Sequence, residues 1–169
     1  MSLMSIVKMG DPVLRKKTTL ITQFDDGLRK TLTDMFQTMY AAPGIGLAAN
    51  QVGLSSRFAV IDVQPDGKHH PMVIINPIIE ARSGSLYEEE GCLSIPGFAS
   101  RIKRAARVRV RAINEQGLPV VIEGEGLLAR CLQHEIDHLN GMFYIDHLPI
   151  LQRLKIKREI ARRKKSKLF

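Results

Sequence analysis

His134 and His138 stand four residues apart in the run Gln133-His134-Glu135-Ile136-Asp137-His138. In a helix, positions i and i+4 share one face about one turn apart. That spacing lets two imidazole nitrogens meet one tetrahedral ion. Glu135 sits beside them, placed to work on a water at the metal rather than on the metal itself. Two histidines make an incomplete site, so the chain must supply a third ligand.

The chain holds two cysteines, Cys92 and Cys131. Cys92 lies in Glu90-Gly91-Cys92-Leu93-Ser94, between two strand-like stretches, where glycine permits tight backbone geometry. A thiolate binds zinc or ferrous iron well, which favours Cys92 as the third ligand. Cys131 competes by proximity, three residues before His134. Its leucine neighbours equally fit a small buried hydrophobe. Glu88, Glu89, Glu90 and Asp137 are further candidates, and Asp137 reads better as an acceptor that orients a histidine ring or as a structural partner. An ion with an open fourth position would polarise a carbonyl, and Glu135 would carry the proton of the attacking water to a leaving amine.

A second run, Gly44-Ile45-Gly46-Leu47-Ala48-Ala49-Asn50-Gln51, combines small residues with a terminal amide. Small residues allow close approach of a ligand backbone. The run lacks a third glycine and follows a helix, so it fits no dinucleotide fingerprint; without Lys-Ser/Thr it is no phosphate loop. Gln51 could donate an amide N–H to a developing oxyanion, or simply cap a turn.

The elements that must position these residues are legible in outline. Asp11-Pro12 reads as the start of a short helix. Leu28, Leu32, Met35, Phe36 and Met39 form one stripe of a helix from about Asp25 to Tyr40. Phe58–Val63 and Met72–Ile75 read as strands, the second closed by Asn76-Pro77. Strict Arg/Val alternation from Arg107 to Arg111 puts Val108 and Val110 inward, and Val120–Glu123 returns beside that strand. The histidine helix spans Leu127–Asn140 with Gly141 as its stop. A last helix runs from Leu148 or Pro149 to about Lys165. The pattern predicts an α+β fold: a single compact domain of short antiparallel sheets packed around the central HExxH helix, with a C-terminal helix.

The length of 169 residues fits one domain, and a 44% hydrophobic content excludes a disordered chain. No apolar run approaches the roughly 18 residues of a membrane span, and the N-terminus has no secretory signal pattern. Together with the sparse cysteines, this predicts a cytoplasmic enzyme without membrane attachment. Residues 1–150 carry 16 basic and 16 acidic residues, whereas 151–169 carry nine basic residues and Glu159 alone as acid. The excess charge of +8 therefore sits in a tail in which Leu151, Leu154, Ile156, Ile160 and Leu168 alternate with Lys and Arg. This divides the chain into a neutral catalytic domain, 1–150, and a basic helical extension, 151–169, suited to docking on RNA phosphates. A neutral body argues against sequence-specific DNA binding.

Three segments together, GIGLAANQ (Gly44–Gln51), EGCLS (Glu90–Ser94) and QHEIDH (Gln133–His138), resemble the peptide deformylase family. The likeness extends from about Ile6 to Leu148. It implies Cys92, His134 and His138 as the metal ligands, Glu135 as general base and then acid, and Gln51 with the Leu93 backbone N–H as oxyanion donors. Gly44, Ile45 and Gly46 would border the substrate backbone as a partner strand does, with Ile45 and Leu127 lining a slot for methionine. The implied substrate is the N-formylmethionyl end of a nascent polypeptide, deformylated with release of formate. Fe2+ is the implied ion in the cell, with Zn2+, Ni2+ or Co2+ replacing it in preparations. In some bacterial members a C-terminal helix binds the ribosome, a partner the tail 151–169 would suit. Arg104 is expected to pair with Glu90, and Arg130 to reach the pocket rim or face water.

Two other readings compete. HExxH also serves many peptidases, from which a cysteine ligand upstream separates this chain. A non-catalytic RNA-binding protein with a structural metal would have no need of Glu135.

Overall fold

The computed structural model describes residues 2–166 and 169. The Asp25 carboxylate accepts from Leu28 N at 2.8 Å and caps α1, Asp26–Ala41. Leu32, Met35 and Met39 of α1 are buried against Leu47, Phe58, Val60, Val73 and Ile75. Those five residues belong to β1 (Gly46–Ala48), β2 (Phe58–Ile61) and β3 (Met72–Ser83). Period-two alternation sends their neighbours Ala48, Ala59, Ile61 and Ile74 to the opposite face. There they meet Ala129, Leu132, Ile136 and Leu139 of α2, Gly126–Leu139. Helices thus cover both faces of one sheet, and α2 is central, as expected.

That sheet has five strands in the order β1-β2-β3-β6-β7, all antiparallel, with β6 at Arg107–Ile113 and β7 at Pro119–Glu125. Val108 and Val110 are buried, while Arg107, Arg109 and Arg111 lie outside and pair with Glu125, Glu123 and Glu80. Gly124 lets the helix close on the sheet, since a Cβ there would stand 2.7 Å from Leu132 Cδ1. A separate two-stranded hairpin, β4 (Leu86–Cys92) and β5 (Ile95–Arg104), carries Cys92 at its turn.

The third strand departs from expectation. It does not close at Asn76-Pro77 but runs on to Ser83. Pro77 has no N–H to give the ladder, and the chain absorbs this with a register shift between Ile75 and Ile78. Asn76 takes a positive φ of 51°, held by both amide atoms on the backbone of Ile21. The Asp11-Pro12 start yields only a four-residue 3-10 turn, Pro12–Arg15.

α3, Ile150–Lys165, lies on the body. Its Ile160 is buried and Ile156 packs beside it in a cluster with Leu14, Ile95, Ile102, Phe143, Tyr144 and Leu148. Lys167 and Leu168 of the expected extension lie outside the described residues. No helix among the described residues is long and apolar enough to cross a membrane.

Candidate metal centre and active site

One turn of α2 brings His134 Nε2 and His138 Nε2 to 3.2 Å from each other. Cys92, at the end of β4, places its Sγ 3.2 Å from His138 Nε2. The three donor atoms all lie within 4.8 Å of one another. Bonds of roughly 2.0–2.3 Å to a tetrahedral ion would set donors about 3.4 Å apart, so this set fits such an ion. Cys131 is not part of the cluster. Its thiol is buried in the core beneath the cleft, donates toward Ile45 O at 3.5 Å, and is pushed well above its ordinary pKa by burial and by the Glu135 charge.

The donors are held from behind. Glu90 Oε2 takes His134 Nδ1 at 3.0 Å, which leaves Nε2 facing the cluster. Arg104 grips both Glu90 oxygens, at 3.0 and 3.1 Å, and reaches Asp137 Oδ2 at 2.5 Å. Burial works to raise the Glu90 pKa, but the hydrogen bonds from His134 and Arg104 outweigh it and hold the group at about 2. The Arg104–Glu90 pair is as expected. Asp137 takes the structural option: it orients neither clustered histidine but binds Arg104 and, at 2.7 Å, His147. Helical geometry explains this, because the residue before His138 points off the His134–His138 face. Asn50, which carried no separate signal in its run, donates Nδ2 to His138 O at 2.5 Å and ties the glycine-rich segment to the metal helix.

Glu135 is 3% exposed, and burial raises its pKa to about 7. Its Oε2 has no hydrogen-bond partner among the described residues. Its carboxylate lies against Gly46, where an added Cβ would fall on Oε1. Gln51 sits in the 3-10 turn Ala49–Val52. Its Oε1 accepts from Ala48 N at 2.9 Å, which turns Nε2 toward Cys92 Sγ at 3.6 Å and Ser94 Oγ at 3.2 Å. Leu93 forms the hairpin turn beside Cys92, and its carbonyl accepts from Lys8 Nζ at 3.3 Å. A cavity of about 660 Å³ joins these groups, with Gly44, Ile45, Gly46, Leu127 and Arg130 in its wall. Ile45 and Leu127 are 39% and 46% exposed, so both stand at the cleft rather than in the core. Lys8 and Phe98 also line it, and neither was legible from the sequence, because each arrives from a segment with no motif.

A helix face with two histidines, a cysteine from a separate hairpin and a buried acid in the same cleft is a specific arrangement. The family model described as Polypeptide deformylase matches residues 3–154. The chain belongs to the polypeptide deformylase family. A peptide deformylase of Alkalilimnicola ehrlichii is 46% identical over 162 residues, 96% of this chain and 91% of that one. The crystal structure of a peptide deformylase from Legionella pneumophila superposes with a TM-score of 0.91 at 44% identity, covering 98% of both chains. A peptide deformylase from Synechococcus elongatus, solved in complex with actinonin, gives 0.87 at 41% identity, over 95% of this chain and 88% of that one. The α+β architecture expected from the sequence is thus that of solved family members, and this deformylase fold delivers its three motifs to one cleft.

Proposed function

We propose that Cys92, His134 and His138 hold one divalent metal ion and that Glu135 works beside it as general base and acid. The protein is a metal-dependent deformylase that removes the N-terminal formyl group from nascent peptides and releases formate. The observation that carries the site assignment is the convergence of the thiol and both imidazoles on a cleft whose buried acid has an unpartnered oxygen.

When bound, the ion would polarise the formyl carbonyl and make a nearby water more acidic. Glu135 would accept the proton of the attacking water as its oxygen adds to the formyl carbon. Gln51 Nε2 and the Leu93 backbone N–H donate to the carbonyl oxygen as its charge grows. The C–N bond then breaks, and Glu135 returns the proton to the leaving nitrogen. Burial raises the Glu135 pKa, the direction that suits a group that must both take and return a proton. Gly44, Ile45 and Gly46 flank the peptide backbone, and Ile45 with Leu127 borders the slot for the methionine side chain.

One thiolate and two imidazoles suit ferrous iron, zinc, nickel or cobalt. We assign Fe2+ in the cell, with Zn2+, Ni2+ or Co2+ taking its place in isolated protein. Exposed Lys155, Lys157, Arg158 and Lys165 of α3 provide a cationic face for ribosomal RNA, consistent with a cytoplasmic enzyme working beside its substrate. Residues 1–150 form the catalytic unit in this reading, and 151–169 the docking extension.

The test is protein prepared without air, analysed for metal, and assayed on formyl-Met-Ala-Ser, acetyl-Met-Ala-Ser and an internal peptide. Formate release from the first and negligible cleavage of the others supports the assignment. Equal cleavage of all three overturns it in favour of a general metallopeptidase.

A further inference from the structure

Among the described residues β4 pairs only with β5, so its other side is a free edge. In an antiparallel pair, alternate residues turn their backbone groups toward the partner strand or away from it. Arg101 Nη2 donates to Tyr87 O at 2.9 Å, and Arg130 Nη2 donates to Glu89 O. Arg101 reaches over from the paired strand, but Arg130 comes from α2, outside the hairpin, so Glu89 and, by the same alternation, Gly91 turn their main-chain groups to the free edge. Glu89 and Gly91 both border the cleft, opposite β1, which is itself the outermost strand of the five-stranded sheet.

A peptide lying between these two edges, with its formyl end at Cys92, passes Gly91 first and Glu89 next. No side chain donates to the Gly91 backbone among the described residues. At Glu89 one of the carbonyl's two acceptor sites is taken, and the Arg130 guanidinium that takes it stands at that edge. Arg130 comes from α2, one turn from Leu127, and its side chain is 16% exposed. Its Nε lies 3.8 Å from Glu90 Oε1, so a second contact anchors the guanidinium to the same strand. The side chain thus spans from the metal helix to the hairpin across the end of the cleft.

We propose that Arg130 is a specificity-determining residue that limits how much of the substrate backbone is read along β4, by occupying the Glu89 carbonyl that the next substrate residue would use. Recognition then stops at the first few residues of the nascent chain, whatever follows them. This inference rests on the deformylase reading of the cleft.

The experiment measures kcat/KM for formyl-Met-Ala, formyl-Met-Ala-Ser and formyl-Met-Ala-Ser-Ala-Ala with metal-loaded wild type, Arg130→Met and Arg130→Lys, and determines metal content alongside. Wild type should gain little between the two longest peptides. Arg130→Met should gain roughly fivefold over that step, the size of one net hydrogen bond, and Arg130→Lys, which retains a donor, should keep the wild-type plateau. The length ratio is insensitive to partial metal loss, which scales all three substrates together. The same length profile in Arg130→Met and wild type overturns the proposal, as does an equal loss on every peptide. An absence of formyl hydrolysis by metal-loaded wild type would instead overturn the functional reading beneath it.

Discussion

The Glu135 carboxylate occupies space that exists because Gly46 has no side chain. A Cβ at Gly46 would meet Glu135 Oε1 and would stand 2.8 Å from Cys131 Sγ. The residue proposed to move protons and the strand proposed to hold the peptide are therefore fitted to one another. Gly46→Ala should displace the carboxylate, lowering kcat on the order of 100-fold, the scale of a misplaced catalytic group. Overpacking should cost about 1–3 kcal/mol of stability. Kinetics and denaturant unfolding check both; unchanged kcat would mean the carboxylate needs no fixed seat.

Glu135→Gln keeps the shape of the site and removes the proton carrier. Turnover should fall roughly 100- to 10,000-fold while metal content stays at the wild-type level. Metal analysis beside a formate-release assay separates the two effects. Full turnover in the variant would exclude the proposed role, and loss of metal with turnover would make Glu135 structural.

Arg104 bridges the buried Glu90 and the partly buried Asp137, with its own side chain 4% exposed. Arg104→Ala leaves Glu90 and Asp137 without it. The expected destabilisation is about 3–5 kcal/mol, and metal affinity should drop about 10- to 100-fold because His134 loses its oriented partner. Chelator competition reads the affinity. Retained affinity would show that Glu90 holds its place unaided.

Asp62 gives a pH signature remote from the metal. Burial works to raise its pKa, but hydrogen bonds from His69, Tyr40 and the backbone of His70 and Gln64 hold it at about 2. A depressed folded pKa contributes stability that is complete above the usual carboxylate value and disappears as pH falls to the folded one. The stability gap between wild type and Asp62→Asn should be widest near neutrality and close between about pH 4 and pH 2. Urea titrations across that range test the sign, and a constant gap would rule it out.

Replacing Lys155, Lys157, Arg158 and Lys165 with Gln should weaken ribosome co-sedimentation, most visibly at low salt, and leave formyl-Met-Ala-Ser hydrolysis intact. This is a cleaner test than removing the helix, because Ile160 plugs an apolar cluster that also contains Ile95 and Tyr144. Equal sedimentation of both proteins at every salt would leave α3 without a role in docking.

The helices were legible because their apolar stripes and caps are local. Leu32, Met35 and Met39 are buried as their spacing requires, and α2 stops before Gly141. Of the hairpin Leu86–Arg104 only strand-like stretches on either side of Cys92 were legible, not their bounds or pairing, since its outward Glu and Arg residues mask its period and its inner residues serve a cluster built from distant segments. The approach of Cys92 to His134 and His138 followed from the family likeness rather than from spacing. Sequence distance alone left Cys131 in contention; the family likeness favoured Cys92, and the Cys131 thiol turns toward Ile45 O. The Arg104–Glu90 contact was anticipated, but its extension to Asp137 depends on which way two helix positions face.

The thiol and the imidazoles arrive on different bodies, since Cys92 belongs to a hairpin that shares no strand with the main sheet. An ion joining them is then a further clasp beside the Glu90–His134 and Arg104–Asp137 contacts that already tie the hairpin to the helix. Any ligand that binds only the assembled form stabilises it by mass action. Chelation should loosen the hairpin before it disturbs the sheet. Amide protons of β4 and β5 should exchange faster in the stripped protein while those of β2 and β3 hold their protection, so metal occupancy becomes readable as a local mechanical state.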